Sequence, residues 1–201
     1  MDLVLSDWPL QERYKLLIGL VIPRPIAWIS TYSENGVANC APFSFFNVIS
    51  EDPPLCILSF NWRSDGTIKH TLKNIRRTKE FVVNLVDEAT ANAMHLSSYE
   101  FPEDVSEFEK AGLTTAPAVT VQHPRIAEAA ACLECKVERI LEISGTRELV
   151  LGEIQLVHAR DGIIDPATKR ISEQLYRPVG RLFANRYCTT RQRFDLPGEL
   201  P

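Results

Sequence analysis

N-C-A-P-F-S-F-F-N-V-I-S-E-D-P-P-L-C-I-L-S-F-N-W-R-S-D-G-T-I-K-H-T-L-K-N, residues 39–74, is the stretch around which the rest of the chain is read. Residues 39–49 alternate aromatic, small and polar side chains as a strand does, and Asp52-Pro53-Pro54 turns the chain into a second apolar strand over 55–61. A polar loop carrying Arg63, Ser64, Gly66 and Lys69 then enters a helix that starts near His70-Thr71. The amides at a helix start are unpaired and carry partial positive charge, so an anion is stable there. The stretch therefore places a wall of rings beside a cationic turn, suited to a flat molecule with an anionic end.

Upstream, Asp7-Trp8-Pro9 reads as a helix start with Asp7 as the cap and proline in the first turn. Leu10, Tyr14, Leu17 and Ile18 follow at helical spacing, and Gly19 is the expected stop. Pro23-Arg24-Pro25 excludes helix, because a residue before proline avoids that conformation. Residues 26–32 are β-like, Ser33-Glu34-Asn35-Gly36 is a hairpin turn, and 37–49 is expected to return as one strand. Downstream, a short helix over 71–77 precedes a buried strand over 80–86. Asp87 is placed to cap a helix reaching Leu96, and Ser106-Glu107-Phe108-Glu109 has capping-box spacing with Gly112 as the stop. Residues 131–143 and 149–159 alternate with period two, which predicts half-exposed strands with Glu134, Lys136 and Glu138 on the outer side. The hairpins favour antiparallel pairing, and the fold expected is mainly β, a small barrel with peripheral helices. One domain over 1–201 is expected, with a helical excursion at about 87–125 and a C-terminal extension from about 172.

The chain has 201 residues, 45% hydrophobic and 24% charged, in the range of a soluble globular protein. A net charge of −4 argues against nucleic-acid binding by phosphate neutralisation. No apolar run approaches the roughly 20 residues of a membrane span, so no membrane association is expected. The N-terminal M-D-L-V-L-S-D-W-P-L lacks the basic region and cleavage site of a signal peptide. Five cysteines, an odd number spread along the chain, point to reduced thiols and a cytoplasmic setting.

Several motifs are weak. Cys132-Leu133-Glu134-Cys135 has redox or zinc spacing, but in a strand residues three apart face opposite sides, and no second pair completes a metal site. His70, His95, His123 and His158 form no metal-binding spacing. The glycines form no dinucleotide fingerprint and no hydrolase elbow is present. Residues 41–46 read equally as a packed core strand or as a ring-lined wall. Lys69 and Thr71 read either as part of a solvated helix start or as anion ligands, and the adjoining Arg63-Ser64-Asp65-Gly66 loop brings the second reading level with the first. Arg181, Arg186 and Tyr187 suit either a second substrate or a subunit contact.

P-R-P-I-A-W-I-S-T (23–31), G-V-A-N-C-A-P-F-S-F-F (36–46), the proline pair at 53–54, K-H-T-L-K-N-I (69–75) and E-F-V-V-N-L (80–85) resemble the flavin reductase-like family, the FMN-binding split-barrel flavoproteins. S-E-F-E-K-A-G-L-T (106–114), P-R-I-A-E-A (124–129) and R-L-F-A-N-R-Y (181–187) extend the resemblance over roughly residues 20–190. It implies a mostly antiparallel split barrel and a homodimer with FMN near the subunit interface. NADH, NADPH or another reductant would be the electron source, with free flavin, a partner protein or a small molecule as acceptor. By position, Asn39, Ala41, Pro42, Phe43, Ser44 and Phe45 would line the isoalloxazine, and Lys69, Thr71 and Asn74, with Arg63 and Ser64, would hold the phosphate. Many relatives carry aspartate where this chain has His70. The resemblance implies an oxidoreductase with no catalytic side chain singled out, since the cofactor carries the chemistry. A non-enzymatic, flavoredoxin-like electron carrier is the alternative, and a small barrel binding a partner or single-stranded nucleic acid is a third reading that the acidic balance disfavours.

Overall fold

A computed structural model describes residues 1–196 and Gly198. Helix α1 (Leu10–Leu20) leads into strands β1 (Ala27–Tyr32), β2 (Ala38–Phe43), β3 (Phe46–Glu51) and β4 (Pro54–Asn61). Helix α2 (His70–Thr78) and strand β5 (Glu80–Leu85) follow, then α3 (Ala91–Leu96), α4 (Glu107–Ala111) and the short pair β6 (Thr115–Ala116) and β7 (Arg125–Ile126). Two long strands, β8 (Ala131–Ser144) and β9 (Arg147–Ala159), precede a closing hairpin of β10 (Val179–Arg181) and β11 (Tyr187–Thr189). The main sheet is antiparallel with order β2-β1-β5-β8-β9-β4-β3.

The expected single return strand over 37–49 is in fact two. β2 pairs with β1 at one edge of the sheet, and β3 pairs with β4 at the other. Ser44 and Phe45 carry the chain from one edge to the other, and the Phe45 carbonyl accepts from the Ser59 amide at 2.9 Å. One apolar core holds side chains from every main strand together with Leu72 and Ile75 of α2. A single sheet can surround one core only by curling, and it does so without hydrogen bonding its two edges together. The fold is a split barrel, and the split is the Ser44-Phe45 crossing.

The excursion after β5 forms a second layer outside the barrel. Met94, Phe108, Val121 and Ile126 pack on Trp28, Cys40, Val82 and Cys132. β1, β5 and the start of β8 are thus covered on both faces. The half-exposed alternation expected for β8 fails at residues 131–135, which are all buried. Glu134 does not face water: it accepts from the Val119 amide at 2.8 Å, from the Thr120 amide and hydroxyl at 2.5 Å each, and lies 2.5 Å from His158 Nε2. Cys132 and Cys135 do point apart, Cys132 into the outer layer and Cys135 into the barrel. Cys135 Sγ lies 4.0 Å from Cys56 Sγ.

Three expected caps and one expected helix stop are also corrected. Asp7 sits in a short 3-10 turn, and Pro9 occupies the cap position of α1. α1 runs past Gly19, because the Arg24 guanidinium satisfies the carbonyls of Ile18 at 2.7 Å and Val21 at 2.9 Å and no glycine is needed to end it. Ser106 gives its hydroxyl to the Ala38 carbonyl at 2.7 Å rather than to its own helix. Asp87 instead turns the chain through Thr90, and α3 begins only at Ala91.

Candidate functional site

The split opens into a cavity of about 240 Å³. Its wall is Pro42-Phe43 at the end of β2 and the Ser44-Phe45 crossing; Lys69 closes one side, and His95 of α3 with Arg181 and Tyr187 of the closing hairpin form another. A smaller cavity of about 80 Å³ adjoins it, shares Pro42, Phe43, Lys69 and Ser98, and adds Asn39, Ala41, Arg63, His70 and Thr71. Of the residues picked from sequence, Pro42, Phe43, Ser44, Phe45 and Lys69 line the larger cavity, while Asn39, Ala41, Arg63 and Thr71 line the smaller. Ser64 and Asn74 line neither. Ser64 is exposed on its loop, and Asn74, 1% exposed, donates to Thr31 Oγ1 at 3.0 Å beneath α2.

The smaller cavity rests on a hydrogen-bonded floor. The hydroxyls of Thr31 and Thr71 donate to Asn39 Oδ1 at 3.3 and 3.2 Å, and Asn39 Nδ2 donates to Glu107 at 2.8 Å. Burial raises the Glu107 carboxyl, opposed by that bond from Asn39. Thr71 and Asn39 thereby pin the start of α2 to β2. Lys69 makes no side-chain cap at α2, so the helix start, whose residues Lys69, His70 and Thr71 line the smaller cavity, is left uncapped by it. Asp65 accepts from the amide and hydroxyl of Thr67, at 2.9 and 2.7 Å, and shapes the preceding loop. His70 has its pKa lowered by burial and by Arg63, with Glu103 opposing, which favours the neutral imidazole.

The larger cavity is positive. Arg24, Lys69, Arg147 and Arg181 all line it, and among the described residues none lies within 4.0 Å of a carboxylate oxygen. Burial lowers the Lys69 pKa, with Glu100 opposing and Arg63 and Arg147 adding to the effect. Burial lowers that of Arg24, with Tyr14 opposing and Arg181 adding. Unpaired cations held together in a concavity are costly, and a bound anion relieves that cost. Rings supply part of the remaining surface: Lys69 Nζ lies 5.7 Å from the Phe43 centroid, the Arg147 guanidinium 5.6 Å from Phe45, and Tyr14 stands 6.3 Å from Phe45. The arrangement accommodates a planar anion.

The family model described as flavin reductase like domain matches residues 19–177. The chain belongs to the flavin reductase-like family. An uncharacterised protein of Aquifex aeolicus is 43% identical to this flavin reductase-like protein over 187 residues, covering 93% of this chain and 94% of the relative. The crystal structure of Pseudomonas fluorescens 2-nitrobenzoate 2-nitroreductase is similar at 37% identity and TM-score 0.90, over 100% of this chain and 98% of the other. Nitrilotriacetate monooxygenase component B from Bacillus cereus is similar at 29% identity and TM-score 0.92, over 98% of each chain.

Sequence reading left Arg24, Arg147, His95 and Asn185 unassigned, although all line the larger cavity. Arg24 lies in the first matched motif, which was the available signal. Arg147 opens β9 just after a turn, and nothing local marks it; only the pairing of β9 with β4, Arg147 opposite Asn61, brings it to Phe45. The open choice over Arg181, Arg186 and Tyr187 divides: Arg181 and Tyr187 line the cavity, whereas Arg186 lies 5.2 Å over the Phe183 ring and does not. Both lining residues fall beyond the matched residues 19–177.

Proposed function

We propose that this flavin reductase-like protein binds FMN across the two joined cavities and works as an NAD(P)H-dependent oxidoreductase. The observation that carries the reading is the pairing of a ring-lined wall with cations that, among the described residues, have no carboxylate oxygen within 4.0 Å. The residues fit the group: Pro42, Phe43, Ser44 and Phe45 offer the flat surface and one hydroxyl, and Lys69 and Arg63 beside the uncapped start of α2 suit a phosphate. When bound, FMN supplies the redox chemistry, exchanging hydride or electrons with a substrate stacked against it. The chain's own contribution is positioning and charge. Lys69 and Arg63 anchor, Asn39, Thr71 and Asn74 hold the helix start against the barrel, and Arg24 ties α1, the Leu182 carbonyl and Ser44 into one wall.

The nitroreductase and component B likenesses support two kinds of acceptor, a small molecule and a partner oxygenase. A homodimer is part of the same proposal. α1 leaves Leu10, Leu17 and Leu20 exposed at 78%, 44% and 70%, and edge strand β3 leaves Val48 and Ile49 exposed, an apolar surface next to the split. Light scattering on the FMN-loaded protein is expected to give a dimer mass, and a monomer retaining flavin would contradict the interface. A cytoplasmic setting goes with the free state of all the cysteines, and no helix among the described residues is long and apolar enough to cross a membrane.

The test is a titration with FMN followed by anaerobic addition of NADH or NADPH. Flavin absorbance perturbed on binding and bleached by either nucleotide is expected. A flavin spectrum unchanged by the protein overturns the cofactor assignment, and binding without bleaching moves the protein to the electron-carrier reading.

A further inference from the structure

The cations of the larger cavity form two groups rather than one. Lys69 feels Arg63 and Arg147, whereas Arg24 feels Arg181. Lys69 lines the smaller cavity as well, where Arg63 joins it, and Arg24 and Arg181 do not. A single cofactor phosphate at the start of α2 neutralises the first group only.

The second group has one guanidinium free to bind. Arg24 is 8% exposed and already donates to the carbonyls of Ile18, Val21 and Leu182, at 2.7, 2.9 and 2.8 Å, so its hydrogens serve the fold. Arg147, of the first group, donates to Ser59 Oγ at 3.0 Å. Among the described residues the Arg181 side chain has a single hydrogen-bond partner, the Tyr187 hydroxyl, and its guanidinium stacks 4.6 Å from the Tyr187 centroid. Because the hydroxyl accepts from Arg181, its own hydrogen is left to donate, either to His95 Nδ1 at 3.5 Å or to a ligand. The edge of His95 packs against the same ring at 82°, so the three side chains hold one another in place. A planar fork of unused N–H groups beside a phenol hydrogen matches the two oxygens of a carboxylate, or two of a phosphate.

We propose that Arg181, supported by Tyr187, is the anion anchor for the second substrate, distinct from the site of the cofactor phosphate. This rests on the FMN reading above. The ligand class is a planar ring bearing a carboxylate or phosphate, with the ring over the flavin wall and the anionic oxygens on the closing hairpin. The carboxylate would come from an aromatic acceptor and the phosphate from a nicotinamide nucleotide. Arg181 binds; it takes no part in bond making.

Isothermal titration of the FMN-loaded protein with two matched pairs separates these sources: benzoate against benzamide, and nicotinamide mononucleotide against nicotinamide riboside. The wild type is expected to prefer the anion in at least one pair by about tenfold or more, the scale of one charge-assisted hydrogen bond. R181Q is expected to abolish that preference, and Y187F, which keeps the ring and removes the hydroxyl, to reduce it. The preferred pair identifies the source. No preference in the wild type, or the same preference in R181Q, overturns the proposal. So does an FMN affinity in R181Q that falls as far as in K69A, since Arg181 would then serve the cofactor phosphate. Should R181Q not fold, as judged by circular dichroism, Y187F decides by the same criterion. Failure of the cofactor reading itself appears separately, as a flavin spectrum that the wild type leaves unchanged; the pairs are then titrated into flavin-free protein and judged in the same way.

Discussion

Two parts of this molecule take charged groups out of water and treat them in opposite ways. Around β8, the fully buried Glu134 receives hydrogen bonds from Val119 and Thr120 and is paired with His158. Nearby on the barrel wall, His123 is 2% exposed; its Nδ1 accepts the Tyr32 amide at 2.9 Å, which puts the ring proton on Nε2, 2.8 Å from the Thr78 hydroxyl. Every buried polar group there is answered by the protein. In the cavity at the split, Arg24, Lys69, Arg147 and Arg181 share one lining, and among the described residues none lies within 4.0 Å of a carboxylate oxygen. Charge that the fold satisfies is structure; charge that the fold leaves unanswered is a place for a ligand.

The comparison breaks first if removing a satisfied group proves harmless. Glu134→Ala removes the buried acceptor of the Val119 and Thr120 amides and the partner of His158, and a loss of about 3–5 kcal/mol is expected in urea unfolding. A loss under about 1 kcal/mol would place Glu134 with ordinary surface acids.

Acid should reveal the same region in two steps. Burial lowers the His123 pKa from 6.5 to about 4, with Glu80 opposing. The unfolded chain therefore takes up that proton before the folded one, and stability present above pH 6.5 declines as pH falls toward 4, by roughly 3 kcal/mol in all. For Glu134, burial pushes the carboxyl up, but the bonds from Thr120 and His158 outweigh it and bring the value from 4.5 to about 2. Its contribution is present above pH 4.5 and is lost as pH falls toward 2. Unfolding free energies measured between pH 8 and 3 are expected to fall first in the His123 window. In His123→Gln that first decline should disappear, whatever the variant's starting stability.

The cavity should respond in the opposite sense. Lys69→Ala is expected to weaken FMN binding by about tenfold, the loss of one charge-assisted contact, while shifting the thermal midpoint of the flavin-free protein by little. Equal loss of midpoint with and without FMN would return Lys69 to the structural class. The smallest effect is a control outside both regions. Lys79 ends α2 with φ 60, a conformation that costs an L-residue about 1 kcal/mol, and Lys79→Gly is expected to raise stability by about 0.5 kcal/mol without changing FMN affinity.

Much of this was legible in sequence because it is local. The hairpin turn at Gly36, with φ +78, the stop of α4 at Gly112, with φ +66, and the loop from Arg63 to Lys69 all follow from what short segments prefer. The strand over 37–49 was misread because nothing local separates one long strand from two that serve opposite edges of a sheet; Pro42 is tolerated at an edge, and the break comes two residues later. β8 was misread for a related reason. Alternation reports one covered face, and it cannot report that residues 118–121 return to cover the other.

What the chain carries in its own order is the list of elements, their turns and the ring-and-cation character of residues 39–74. Which cations share a cavity was settled only by folding. Arg24 and Arg181, 157 positions apart, meet because the β10–β11 hairpin lies against the end of α1, and Arg147 joins them because β9 pairs with β4. Backbone preference acts over a few neighbouring residues, whereas an unbalanced charge depends on everything that packs around it.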